Sequence, residues 1–315
     1  MNRTALLPLL LAATSLATGC FLLPGSELSE VLPDDRIEVN LPIASTLAKD
    51  DTREWSTYYL WTAEVTENVN RMTGVVLYWV DTITSDYRPS YVNDDRSEAI
   101  WGPWSEGPLD PNETQLRVQH DLETDAYAWG FERWAKDAGE EALVTVVDGE
   151  IDPGATREVS TGRFTVDFTT INAMDPTEEA TGIYAVDYDI GTEGVSAVAS
   201  FEDFGPTGLE ADYAYQQTFG GEGAMDIVLV TDLNPAWGLG LDETIAMHSR
   251  WLADGSGRGD VRVSGGDLGD EVGYATECWS SSFERVYFLD EYSGEEEGDP
   301  ALCAYPEAEY PVAAE

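Results

Sequence analysis

Lysine is almost missing from this chain: among 315 residues there are only Lys49 and Lys136. Lys and Arg together number 16 against 61 Asp and Glu, a formal charge of −45 at pH 7. A surface of that sign repels polyanions, which excludes nucleic acid as a partner and disfavours direct contact with anionic lipid headgroups. Acidic, lysine-poor surfaces also keep proteins soluble, so the charge is read first as habitat or solubility. Binding of a divalent cation or a cationic partner is the functional alternative. The acids are spread along the whole chain rather than clustered, which favours the first reading.

Histidine is equally scarce. His120 and His248 stand alone, each within a predicted strand. A histidine-based catalytic dyad needs a nucleophile within hydrogen-bond reach and a third group to orient the ring. No Gly-x-Ser-x-Gly elbow surrounds any serine, and two histidines with scattered carboxylates lack zinc-site spacing. No catalytic residue, cofactor or metal ligand is therefore assigned. The apolar run Ala5–Leu16 is too short to cross a bilayer, which takes roughly twenty residues, and it contains Pro8.

What is present begins at that run. Arg3, the apolar core and a small-residue ending have the proportions of a secretory leader. The ending, Leu16-Ala17-Thr18-Gly19-Cys20, resembles the lipobox of bacterial lipoproteins, in which small residues precede a cysteine that becomes the lipidated first residue. Gly19 and Thr18 fit that pattern, while Ala17 stands where Leu is usual and Leu16 is displaced by one. The resemblance implies a diacylglyceryl thioether and an N-acyl group on Cys20. Each acyl methylene entering lipid contributes ~0.8 kcal/mol, and two or more chains hold a protein stably. Phe21, where Asp would retain the protein at the inner membrane, implies the outer membrane. The expectation is a chain anchored to the envelope through lipid, with residues 1–19 as leader and 20–45 as tether.

With Cys20 assigned to lipid, Cys278 and Cys303 remain, an even pair in an exported chain where disulfides persist. Their bridge would close a loop around "SGEEEGD" and contribute ~3.5 kcal/mol in the chain-entropy model.

One strong helical pattern follows the tether. Trp55, Tyr58, Thr62, Val65, Val69, Met72, Val76, Trp79 and Ile83 recur at steps of three and four, one face of a helix over 54–84. Asp51 and Glu54 have capping-box spacing, and Pro89 lies just past the end. The stretch Gly74–Val80, "GVVLYWV", is apolar all round and β-branched, so a strand is the competing reading there. As a helix it needs protein on most sides.

From Thr114 onward the period is two. In "RFTVDFTTI" Phe164, Val166 and Phe168 alternate with polar residues, and in "LEADYAYQ" Leu209, Ala211, Tyr213 and Tyr215 do the same. Turn signals such as "LETD", "DAGEE", "FGGEG" and "ADGSGRG" separate roughly ten such strands, with no helices between them. The expected fold is mainly β with one long N-terminal helix: a large curled antiparallel sheet or partly closed barrel packed on the helix, one domain over 46–303. Residues 304–315 are read as a mobile tail. The element order looks like that of lipoprotein-carrier and lipid-binding half-barrels, without a shared motif.

Other candidates are weighed against bland readings. Asp254–Asp260, "DGSGRGD", has alternating oxygen donors, but Arg258 falls on a ligand position of a calcium loop, and a hairpin turn explains it. Its Arg-Gly-Asp triplet is short enough to occur by chance. Trp61, Trp79, Trp129 and Trp251 fall on core-like faces. Trp101 and Trp104, in "WGPW", are the candidate ligand-binding residues, placed in a loop that could plug one end of the sheet. The expected role is structural or interaction-based, with an envelope protein as partner. One alternative is a carrier or binding module for an apolar ligand in the concave face of the sheet. A second is a carbohydrate-active enzyme, from paired carboxylates and stacking tryptophans.

Overall fold

Strands joined by short turns find their backbone partners in the strand just before them, because each N–H and C=O must be paired and a tight hairpin is the shortest route. The computed structural model describes residues 55–311 except 106, 108, 157 and 234–238, together with 28, 30–32 and 37–38. The leader, Cys20, Asp51 and Glu54 lie outside the described residues. The strands are β1 (Tyr91–Val92), β2 (Glu98–Trp104), β3 (Asn112–Asp121), β4 (Ala126–Ala135), β5 (Val144–Ile151), β6 (Ser160–Asp167), β7 (Ile183–Ile190) and β8 (Gly194–Phe204). They continue as β9 (Leu209–Thr218), β10 (Gly223–Thr231), β11 (Glu243–Trp251), β12 (Gly257–Gly265), β13 (Val272–Trp279), β14 (Arg285–Asp290) and β15 (Glu295–Gly298). All fifteen form one antiparallel sheet in sequence order, and β1 and β15 do not pair, so the sheet is unclosed. Helix α1 spans Thr57–Asp86, and a short helix α2 spans Phe168–Met174.

Helix α1 starts at Ser56, whose Oγ accepts from Tyr59 N at 3.1 Å. A tertiary contact reinforces that start. Glu277 on β13 accepts from Thr57 N at 3.1 Å and Tyr58 N at 2.7 Å, placing a buried carboxylate on the positive end of the helix. Serine and a residue more than two hundred positions away thus provide the cap. The Gly74–Val80 stretch is helical, and the helix ends three residues before Pro89.

The buried stripe of α1 is Tyr59, Thr62, Thr66, Val69, Thr73, Leu77, Val80 and Thr84, a fraction of a turn away from the expected one. Threonines, small and able to hydrogen-bond, face the sheet where the helix approaches it. Thr62 Oγ1 shares a hydrogen bond with Ser249 Oγ on β11 at 2.7 Å, and Thr73 Oγ1 with Tyr184 Oη on β7 at 2.8 Å. Trp61 and Trp79 consequently point outward, and the apolar half of the helix is not enclosed: Val75, Tyr78 and Trp79 are exposed. Trp129 and Trp251 are buried as expected.

These contacts run across the strands in order, from Glu277 on β13 through Ser249 on β11, Met225 on β10 and Tyr184 on β7. Beyond the helix end, Tyr87 O accepts from Trp101 Nε1 on β2 at 3.0 Å. Thirty residues at 1.5 Å make a rod of ~45 Å, and eleven strand intervals at ~4.8 Å make ~53 Å, so the helix bridges most of the concave face. That face is lined by large rings, and several sit opposite glycine on the next strand: Trp129 with Gly149, Tyr188 with Gly162, Trp251 with Gly223 and Trp279 with Gly257. A Cβ at any of these glycines would collide with the opposing ring.

Described segments toward either end of the chain pack on this body. Within the stretch expected to be a tether, Leu28, Leu32 and Ile37 are buried in the core, and Val31 O accepts from Ser160 Oγ at 3.3 Å. At the other end, residues read as tail lie against the convex face. Asp260, fully buried, accepts from Arg258 Nε, Thr276 Oγ1, Arg250 Nη2 and Glu309 N, and the Arg250 guanidinium sits 4.7 Å from the Tyr305 ring centroid. The expected disulfide joins Cys278 to Cys303, with Cα atoms 5.3 Å apart, and pins the base of this strap. Sequence patterning missed the strap because its anchors are single residues without a period.

Two measurements test these anchors. Cys278→Ser and Cys303→Ser should each lower stability by about 3 kcal/mol and the double variant no further, in chemical denaturation without reductant; additive losses would contradict the bridge. Glu277→Ala should cost about 2–4 kcal/mol, because two part-buried N–H groups at the helix start lose their acceptor and a buried side chain is removed. Burial pushes the Glu277 carboxyl above the usual glutamate range, against the opposing pull of the two N–H bonds. The folded chain then binds that proton more tightly than the unfolded one, so the contribution is fullest below the ordinary glutamate pKa and declines as pH rises through the raised value. Relative to Glu277→Gln, the wild type should lose stability as pH rises above the ordinary glutamate range; a pH-independent difference would remove the argument.

Candidate functional site

The helix divides the concave face. On one side Gly74 faces Glu38, and the N-terminal segment with Leu28, Leu32 and Ile37 fills the space near Ser160. On the other side, between the C-terminal half of α1, the ends of β2–β5 and helix α2, the face is left open as a groove of about 720 Å³. Small-molecule sites commonly enclose ~300–1,000 Å³. Its walls are apolar: Val75, Val76, Trp79 and Ile83 from the helix, Trp101, Trp104, Phe131, Val146 and Val147 from the sheet, and Phe168 and Ile171 from α2.

The structure brings Trp101 and Trp104 together in this groove, but as part of β2 rather than a loop. Trp101 is 2% exposed and forms the floor, its Nε1 bonded to Tyr87 O. Trp104 is half-buried and forms a wall. The pairing of β2 with β3 shifts between these two residues, which re-aims the second ring. Gly102 sits at φ +105° with the Trp104 ring against it, a position where any Cβ would collide with that ring and with Thr114 O. Trp79, 54% exposed, overhangs the mouth.

Helix α2 was expected to be the end of a strand. Its start is explained by Asp167, whose Oδ1 accepts from Thr170 N at 2.8 Å as an N-cap. That turn carries Phe168 and Ile171 to the groove, and the capping pattern Asp-Phe-Thr-Thr was the available signal.

Three charged residues line the groove: Arg88, Arg133 and Glu178. Arg133 is 9% exposed, with Nη2 4.0 Å from Asp175 Oδ2, and its buried Nε meets no hydrogen-bond acceptor among the described residues. It had a sequence signal too: in "YAWGFERW" Arg133 falls in phase with Tyr127, Trp129 and Phe131, an inward position for a cation. Deeper under the helix, burial pushes the Tyr184 hydroxyl up to about 12, so it stays protonated in its bond with Thr73.

The other candidates are occupied structurally. His120 hydrogen-bonds to Asp125 at 2.8 Å and stacks on Tyr127, and His248 hydrogen-bonds to Asp226 at 2.6 Å, so each ring is held in a local structural contact. Arg258 and Asp260 are buried on β12 beneath the C-terminal strap, which removes the Arg-Gly-Asp triplet from any adhesion surface. Asp254 accepts from Ser256 in a turn, as a hairpin requires. Among the described residues no cluster of three or more His, Cys, Asp or Glu is arranged to hold a metal ion. Among the described residues no helix is long and apolar enough to cross a membrane.

No protein-family model, characterised protein or solved structure matches this chain.

The two kinds of groove tryptophan should separate cleanly. Trp101→Ala should cost about 3–5 kcal/mol of unfolding free energy, whereas Trp79→Ala should stay within about 0.5 kcal/mol. Equal losses in urea titrations would mean Trp79 is packed rather than presented.

Proposed function

We propose that this chain is an envelope lipoprotein, tethered through lipidated Cys20, whose concave groove binds an elongated apolar ligand. One observation carries the reading of the groove: an apolar channel of about 720 Å³ lies open along the helix, with an exposed tryptophan at its mouth. The helix seals the sheet with Tyr59, Val69, Leu77, Val80 and four threonines, yet it also carries Val75 and Trp79 exposed on the open side, more apolar surface than sealing requires. From Val75 to Tyr87 the groove follows ~18 Å of helix, room for an extended hydrocarbon chain. The leader and lipobox support placement at the envelope, most simply at the outer membrane.

The purely structural role expected from the sequence leaves this groove without a purpose. A carbohydrate-active site is less favoured. Trp101 is sealed in the floor with its indole N–H engaged, and the groove lining offers Glu178 as its carboxylate, where glycoside hydrolysis calls for a pair.

The test uses the full exported chain. Recovered from membranes and measured as intact mass, it should begin at acylated Cys20; an uncleaved leader or a free thiol there would remove the anchor. After exposure to a lipid extract, native mass spectrometry should show one bound lipid species per chain. Val75→Glu, an exposed position on the groove wall, should weaken that binding about tenfold or more without changing the fold. Unaltered binding in that variant, or none in the wild type, would refute the groove as a ligand site.

A further inference from the structure

The chain carries 61 acids and 16 Lys and Arg, so a concavity chosen at random on its surface is acidic. Four other concavities follow that rule, each with more acids than bases among its lining. The groove under α1 reverses it, with Arg88 and Arg133 against Glu178. Arg133 is the sharper departure. An arginine buried to nine-tenths is costly unless its donors are met. Yet its Nε has no acceptor among the described residues, and Asp175 stands off at 4.0 Å. Asp175 Oδ1 is engaged by Thr177 N and Oγ1. A buried cation held in an apolar groove with an unmet donor is a seat for an anionic group. A planar carboxylate suits it best, because it can accept from the guanidinium edge in a fork.

We propose that the groove takes a single-chain amphiphile with a carboxylate head, the head paired with Arg133 and the hydrocarbon against Val76, Phe131 and Val146. This deepens the apolar-ligand reading and rests on it. The local cation does two things at once. It selects an anionic head inside a protein whose overall field repels anions, and its Nε gains an acceptor that the described residues do not supply. Arg88, at the exposed end of the helix, adds a second positive charge at the rim.

The experiment compares three twelve-carbon probes by isothermal titration against the delipidated full chain: dodecanoate, dodecanol and dodecyltrimethylammonium, all below their micellar concentrations. Dodecanoate should bind about tenfold or more tighter than dodecanol, despite the net charge of −45. Arg133→Gln should bring dodecanoate down to the dodecanol level while leaving dodecanol affinity unchanged, which also reports an intact groove. Should Arg133→Gln fail to fold, Arg133→Lys decides instead: keeping the charge, it should retain most of the preference. Equal or weaker binding of the acid by the wild type, a preference that survives Arg133→Gln, or tightest binding of the ammonium probe would each overturn the carboxylate assignment while leaving the groove as an apolar site. Failure of all three probes to bind would instead remove the groove reading itself.

Discussion

The carboxylate of Glu277, buried on β13 and accepting two N–H groups from the first turn of α1, decides where the helix enters the concave face. Much of the rest depends on that entry. A single sheet of fifteen strands has an inner face of tryptophan, tyrosine and phenylalanine that needs an apolar cover. The cover is one helix, laid across the strands and touching them through four threonines and through Tyr59, Val69, Leu77 and Val80. Burying a carboxylate is costly, and here the cost is partly offset by the positive end of the helix, by two N–H donors and by Arg285 Nε at 3.7 Å.

The two faces of the sheet solve different problems. Inside, rings fill the volume under the helix, and glycines on neighbouring strands make room for them. Outside, acids predominate, and the few bases are spent on neutralising buried or crowded carboxylates. Arg117 bridges Glu98 and Glu132 at 2.5 and 2.9 Å, and Arg250 and Arg258 both reach Asp260. The C-terminal strap lies over this second cluster, and the disulfide holds its first residue against β13. Arg250 and Arg133 both carry a buried Nε without an acceptor among the described residues, but Arg250 has Asp260 and Glu309 on its terminal nitrogens, whereas Arg133 lies in an apolar groove with Asp175 4.0 Å away.

The groove arises from geometry that no single element carries. One side of the helix is filled by Leu28, Leu32 and Ile37, and the other is left open as a groove to which α2, starting at Asp167, contributes Phe168 and Ile171. Trp101 and Trp104 were recognisable as unusual in "WGPW", but periodicity could not tell that one is floor and the other wall. The alternation in "YAWGFERW" placed Arg133 inward, yet its meaning depends on Asp175 being 4.0 Å away. The helical stripe was legible in period and misread in phase, because a hydrophobicity pattern ranks threonine as polar while a helix lying close to a sheet selects small side chains that can bond across the gap.

The amino-acid sequence by itself determined the class and order of the elements: a long helix from a 3.6-residue period, strands from a period of two with turns between, a disulfide from the remaining pair of cysteines. These are local or compositional properties, set by backbone geometry and by which residues can face water. Tertiary structure alone decided which face of the helix meets the sheet, how the chain ends dock, and that an apolar groove with a buried arginine remains beside the helix. Those outcomes depend on distances between residues far apart in the chain, which come into being only when fifteen strands curl around one helix.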